Sequence, residues 1–281
     1  MLLEQWGLGP FSALVPTSGA VYVAVFLTIG LLFHRRARAA GLGPEHAINL
    51  WIISGISGTL GARLYFVVMH PGASPLNSRS LFDLKGTASW GAYLGVALTF
   101  GWYSLARKLP VWQWLDLGGA MQLIGESIGR WACWLAGDDF GRVTQLPWAI
   151  RFPRGSLAWT AHVASGRLPA SADWSLTVHP QQFYLMVNAA ILFVVVTALW
   201  RRTRDRPGFT FAIYLVLYGA SRFGWEFFRD PAAGGADGGL SSSQWMCVGY
   251  VVVGAVLLLL RQWRGVSLVQ LDHASPSLRS G

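Results

Sequence analysis

The sequence predicts an all-α integral membrane protein of about seven transmembrane helices, with a small outward-facing cap between spans four and five. Three observations predict it. Of the 281 residues, 53% are hydrophobic and only 12% charged, about half the charged share of a soluble domain. The apolar residues come in long runs rather than amphipathic stripes, and the mean hydropathy is +0.41. Finally, the basic residues sit at the ends of those runs. That placement turns a net charge of +9 from a nucleic-acid signal into a topology signal.

A membrane helix needs about 20 mainly apolar residues. The runs that meet this lie at roughly 13–33, 47–69, 88–106, 112–136, 180–200, 209–229 and 243–260. The fourth and sixth are the least apolar. Arg35, Arg36 and Arg38 follow span one, and Arg107 and Lys108 follow span three. Arg201, Arg202, Arg204 and Arg206 follow span five, and Arg261 and Arg264 follow span seven. With seven spans all four groups lie on one side, which the positive-inside rule makes cytoplasmic. The N-terminus is then outside and the C-terminus inside. The opposite loop, 70–87, holds only Arg79 and Lys85. Met1 to Pro10 lack a basic n-region and carry Glu4, so no cleavable signal peptide is expected.

Residues 1–266 read as one transmembrane domain and 267–281 as a polar, disordered cytoplasmic tail. Residues 137–179 hold no run long enough to span, and read as the cap, with short strands around Trp148-Ala-Ile-Arg-Phe152. The Gly-, Ala- and Ser-rich segment from Asp230 to Ser243 reads as a mobile outer loop. No internal repeat is visible. Cys133 and Cys247 fall in or near spans and imply no disulfide framework.

Ionisable residues inside spans are the informative ones. A charge at mid-bilayer costs about 2.5–3.5 kcal/mol on insertion scales, so it faces the bundle interior and usually has a task. Arg63 lies in span two, Glu126 and Arg130 in span four, and Arg222 and Glu226 in span six, with Arg229 one turn further. Residues four apart share a helix face, so each helix partly neutralises its own arginine. One reading is structural pairs that hold helices in register. The other is an anion site, since guanidinium binds phosphate bidentately and keeps its charge when desolvated. Arginines near the outer ends of two helices, beside a cap, suit a phospholipid headgroup. His162 and His179 read as structural or solvated, and no metal cluster is evident.

Glycines recur at near-helical spacing in span two (Gly55, Gly58, Gly61) and span four (Gly118, Gly119, Gly125, Gly129). They are expected to let helices approach closely. Gly137 and Gly141 flank Asp138 and Asp139 in an expected turn, where glycine permits a backbone shape other residues resist.

Four stretches carry a resemblance. They are Gly61-Ala-Arg-Leu-Tyr65, Gly129-Arg-Trp-Ala-Cys-Trp-Leu-Ala-Gly-Asp-Asp-Phe-Gly-Arg142, His179-Pro-Gln-Gln-Phe-Tyr184 and Tyr218-Gly-Ala-Ser-Arg-Phe-Gly-Trp-Glu-Phe-Phe-Arg-Asp-Pro231. In order and spacing they resemble the motifs of the bacterial prolipoprotein diacylglyceryl transferases. The resemblance implies transfer of a diacylglyceryl group from phosphatidylglycerol to the lipobox cysteine thiol of a prolipoprotein. A thioether forms and glycerol phosphate leaves. It implies an enzyme of the bacterial cytoplasmic (inner) membrane that meets the prolipoprotein signal peptide and needs no cofactor or metal. By motif position Arg130 and Arg222 match the family's two functionally important arginines, and Glu226, Gly141 and Gly91 match family positions. The catalytic candidates are Arg130, Arg222, Glu226 and Asp138. The substrate-binding candidates are Arg63, Trp90, Gly91, Cys133, Gly141 and Arg229.

The chain departs from the family pattern at several places. Trp90-Gly91-Ala92 stands where the family has His-Gly-Gly, and Cys133 stands where it has Asn. Asp138 replaces a longer acidic residue, and Ser18 falls opposite a tyrosine. The His-Pro motif ends in Tyr184-Leu185 where the family usually has Glu. Positioned acid–base groups contribute about 10²–10⁴ in rate, so a chain without that histidine needs another base. Asp138 or Asp139 is a substitute; Glu126 is another, held at low basicity by Arg130. Two other readings stay open: a paralogue that moves a lipid group to another acceptor, and a non-catalytic phospholipid-binding membrane protein.

Overall fold

Each apolar run folds as a helix, and the basic residues help to end several of them. The structure is a computed structural model and describes residues 14–69 and 89–273. Its helices are α1 (Leu14–Ala39), α2 (Pro44–Met69), α3 (Ser89–Ala106), α4 (Val111–Ala136), α5 (Leu157–Ala164), α6 (Gln181–Arg202), α7 (Phe209–Glu226) and α8 (Ser242–His273), with a 3₁₀ turn at Pro231–Ala233. Among the described residues the segments Pro44–Val68, Gln181–Arg202 and Ser242–Leu260 are long and apolar enough to cross a membrane. Met1–Pro10 and the 70–87 loop lie outside the described residues.

Helix ends follow local chemistry. α1 runs six residues past the expected boundary at 33, because Arg35 to Ala39 are good helix formers. It carries Arg36 and Arg38 in its last turn, beside the negative end of the helix dipole. The chain then leaves through Gly41 at φ +71°, a left-handed position that glycine takes without strain. α6 likewise ends on Arg201 and Arg202. α8 continues to His273, so the segment expected as a disordered tail from 267 begins as helix.

The described residues divide into two compact units, one within 28–117 and a second of 14–27 with 118–273. In the 28–117 unit, α2 and α3 meet backbone to backbone. A Cβ built on Gly61 would collide with the Gly91 carbonyl, and one on Gly91 with the Gly61 carbonyl. Gly95 stands in the same relation to Ser57. This is the small-residue packing expected of span two. His46 Nδ1 lies 3.0 Å from the Tyr103 hydroxyl, which also accepts from Asn49 Nδ2 at 3.0 Å.

In the second unit α7 and α8 pack through Gly219 against the Cys247 carbonyl and Gly254 against that of Ala212. The cap has its own small core of Phe140, Phe152, Ala158 and Val178. The strands expected at 148–152 are instead isolated bridges, Ile150 with Val178 and Pro153 with Trp174. Pro147 and Pro153 lack the N–H a longer ladder needs. The sequence reading also missed α5, which Ser156 starts by accepting from the Trp159 N–H at 3.2 Å. The Asp230–Ser243 segment, expected to be mobile, is tied down. Arg167 pairs with both Asp230 oxygens at 3.0 Å, and Arg142 donates to the Ala236 carbonyl at 2.9 Å.

Candidate active site

Helical spacing makes the first contacts. On α4, Arg130 Nη2 donates to Glu126 Oε1 at 2.9 Å. On α7, Arg222 Nη1 donates to Glu226 Oε2. Both pairs are four residues apart, as the sequence implies. Gln122 Nε2 donates to Glu126 Oε2 at 3.3 Å, and Gln122 Oε1 accepts from the Tyr214 hydroxyl at 2.9 Å.

A turn joins the two helices' charges. α4 stops at Ala136, and the Asp138 N–H bonds back to the Cys133 carbonyl at 3.2 Å. Gly137 sits at φ +67° and Asp139 at φ +49°. This reversal aims the Asp139 carboxylate between two arginines. Its Oδ2 accepts from Arg130 Nη1 at 2.6 Å, and its Oδ1 accepts from Arg229 Nη2. Arg229 Nη1 in turn reaches Glu226 Oε1 at 3.2 Å. The result is one unbroken chain: Glu126, Arg130, Asp139, Arg229, Glu226, Arg222. Ser241 Oγ adds a bond to Glu226 Oε1 at 3.2 Å. Glu226 is fully buried and Arg222 nearly so.

Arg229 does not continue the helical face of span six. α7 ends at Glu226 and the chain tightens, with Phe228 and Arg229 N–H groups bonding three residues back. The tightened turn is what brings Arg229 within reach of both carboxylates. Gly141 holds it there. Gly141 bridges to Arg229, and the Arg142 N–H donates to the Phe228 carbonyl at 2.7 Å. A Cβ on Gly141 would run into His179 and that carbonyl.

Asp138, singled out from the sequence, is not the bridging carboxylate. Its Oδ1 is buried with no hydrogen-bond partner. Burial and the neighbouring Asp139 charge push its carboxyl up to about 7, against the opposing pull of the Cys133 thiol, Arg130 and Arg229. Burial alone would raise Asp139 too, but Arg229 and Arg130 outweigh it and hold that carboxyl below the usual range. Cys133, Asp138 and Asp139 place ligand-type atoms within 4.8 Å of one another, a grouping the sequence reading did not see. Two guanidinium groups on Asp139 oppose a cation there.

Two residues were missed outright. Gln181 and Gln182, adjacent and buried at the start of α6, reach in different directions. Gln181 Nε2 donates to the Trp225 carbonyl at 2.7 Å, and Gln182 Nε2 donates to the Asp138 carbonyl. The α6 start thus grips the last turn of α7 and the turn after α4. Their place in the His-Pro motif was the available signal. His162 is buried with Nδ1 accepting from the Leu176 N–H at 3.3 Å. Burial, helped by Arg167, holds His162 below its ordinary range. His179 Nδ1 lies 3.2 Å from the Tyr184 hydroxyl. Each histidine is thus tied by one ring nitrogen to a neighbouring group.

Beside α7's charged face, Ala220, Phe223, Cys247, Val248, Val251 and Val252 line an apolar groove of about 340 Å³. Arg63, Trp90 and Gly91 belong to the 28–117 unit. Within it Arg63 is buried with its guanidinium 5.6 Å from the Phe66 ring centre. Trp90 is the second residue of α3.

Long apolar helices and a largely buried arginine–carboxylate chain define a helical membrane protein with a charged centre. The chain belongs to the prolipoprotein diacylglyceryl transferase family, whose model matches residues 11–260. It is 29% identical over 286 residues to the phosphatidylglycerol–prolipoprotein diacylglyceryl transferase of Chloroflexus aggregans, covering 92% of this chain and 90% of that one. The identically named protein of Clostridium tetani is 26% identical, over 94% of this chain and 98% of the relative. That of Polynucleobacter asymbioticus is 30% identical, over 85% and 89%.

Proposed function

We propose that this protein transfers the diacylglyceryl group of phosphatidylglycerol to the lipobox cysteine thiol of prolipoproteins. The observation that carries the reading is that Arg130 and Arg222, from separate helices, belong to one continuous charged chain. The names of the relatives supply the substrates. We further propose that α1–α4 and α6–α8 are the seven spans, in the bacterial cytoplasmic membrane, with the N-terminus outside.

In this reading the acceptor thiolate attacks the glyceryl carbon that bears the phosphate. A C–S bond forms, the C–O bond breaks, and glycerol phosphate leaves with the electron pair. Arg130 and Arg222, with Arg229 linked to both through Asp139 and Glu226, stabilise the charge that develops on the leaving phosphate. Glu226 orients Arg222 and Arg229, while Gly141 positions Arg229. The thiol, with a pKa of about 8.5 in water, loses its proton to Asp138, whose carboxyl lies near Cys133 and keeps one oxygen without a hydrogen bond. A carboxyl near neutrality is well matched to that task. The apolar groove on α7 and α8 takes an acyl chain. Arg63 and Trp90 are assigned to lipid binding from their motif positions, and Gly91 supports them by letting α2 and α3 touch.

A transferase-depleted bacterial strain complemented with this chain tests the reading. Rescue by the wild type, lost in Arg130→Ala, supports it. Trp90 and Cys133, which replace the family's His and Asn, favour a second reading: a phospholipid-binding protein without transfer. Phosphatidylglycerol binding with no lipidation of a lipobox peptide would establish that one instead.

A further inference from the structure

The charged chain is balanced as it stands. Three guanidinium groups (Arg130, Arg222, Arg229) face three carboxylates (Glu126, Asp139, Glu226). A phosphodiester that entered this centre as an extra anion would lose its hydration and gain no net attraction. Something negative must leave.

The three carboxylates differ in their freedom to do so. Glu126 lies one helical turn from Arg130 on α4, and Glu226 one turn from Arg222 on α7. Neither can withdraw far while its helix stays intact. Glu226 is also bonded by Ser241. Asp139 is different. It sits in the turn beyond α4, at φ +49°, a conformation unfavourable for a residue with a Cβ. Glycines stand two residues away on either side, at 137 and 141. Its side chain keeps 22% of its surface exposed, against 9% for Glu126 and none for Glu226. It is the one carboxylate of the three that stands outside a helix and keeps an appreciably exposed side chain from which to swing away.

Its contacts also have the form a phosphate would take. One oxygen accepts from Arg130 and the other from Arg229, as two non-bridging phosphate oxygens would bridge two guanidinium groups.

We propose that Asp139 is an affinity-determining residue that occupies the seat of the headgroup phosphate between Arg130 and Arg229 and is displaced when the phospholipid binds. This rests on the transferase reading above. The exchange is one negative charge for one, so the net charge of the centre is unchanged on binding. When the C–O bond breaks, the leaving phosphate gains charge, and the cations released from Asp139 are there to meet it. The return of Asp139 to the two arginines then competes with the product and drives its release.

The test uses the full chain in nanodiscs of phosphatidylcholine, titrated with phosphatidylglycerol and, separately, with glycerol phosphate. Asp139→Asn keeps the size and removes the charge. It is expected to tighten both ligands about tenfold, the order of one lost charged competitor, and to lower KM and kcat together as product release slows. Asp139→Glu restores a competing carboxylate and is expected to bind within about threefold of wild type. Thermal unfolding of each variant reports folding independently. The proposal is overturned if Asp139→Asn binds glycerol phosphate no more tightly than wild type, or if Asp139→Glu binds as tightly as Asp139→Asn. Equal binding by wild type and Arg130→Ala would instead remove the anion site itself, a separate failure of the reading beneath.

Discussion

Gln182, buried in the first turn of α6, donates its side-chain amide to the main-chain carbonyl of Asp138. That contact fixes the turn from which Asp139 reaches Arg130 and Arg229. The neighbouring Gln181 does the same for α7 through Trp225. Gln182→Ala is expected to remove one buried hydrogen bond and leave a carbonyl unpaired, at about 1–3 kcal/mol. Thermal or denaturant unfolding measures this. Transfer to a lipobox peptide should fall by more than the unfolded fraction explains, since the turn places a charge. Activity that tracks only the folded fraction would show that Gln182 merely holds the fold.

Glu226 is expected to be the most sensitive single carboxylate. It is wholly buried and accepts from Arg222, Arg229 and Ser241. Glu226→Ala leaves two buried or half-buried arginines short of an anion, a change of about 3–5 kcal/mol. Glu226→Gln keeps the shape and one acceptor and should cost less. Equal stability of the two variants in detergent would contradict the geometry.

Asp138 sets a pH dependence of known sign. Its folded carboxyl titrates at about 7, above its ordinary 3.8. The folded state therefore holds a proton between those values that the unfolded chain has lost. Stability should fall as pH rises from about 4 to about 7 through this group. With Asp138 as the proposed base, activity should move the other way, because a base works deprotonated. Asp138→Asn should match wild-type stability near pH 4, where the folded carboxyl is protonated and neutral, and exceed it at pH 8. It should also flatten the rise in kcat/KM through neutrality. A rise that persists in Asp138→Asn would assign the base elsewhere.

In the 28–117 unit, Gly61→Ala tests the helix contact alone. The added Cβ meets the Gly91 backbone, which has no flexible end to yield. Overpacking of this kind destabilises by about 1–3 kcal/mol. Gly101, with open space where a Cβ would go, is the control, and Gly101→Ala should be neutral or slightly stabilising. Similar unfolding temperatures for the two variants would mean that α2 and α3 are not held at that contact.

The sequence alone determined where the long helices lie and which charges share a helix. Apolar runs and a 3.6-residue period are local properties, so α1–α4, α6–α8 and the pairs Glu126–Arg130 and Arg222–Glu226 could be read directly. The same local order carried the four motifs that show the family. What joins the pairs was decided only in three dimensions. Asp138 and Asp139 are neighbours of the same type, and a left-handed turn sends one carboxylate between two arginines while the other stays buried without a hydrogen bond on one oxygen. Arg229 reached the centre because α7 stops three residues before it, and Gln181 and Gln182 took opposite partners on different elements. Proline spacing reduced the expected cap strands to single bridges. Such contacts depend on how turns orient side chains across elements distant in sequence, and no period along the chain records that.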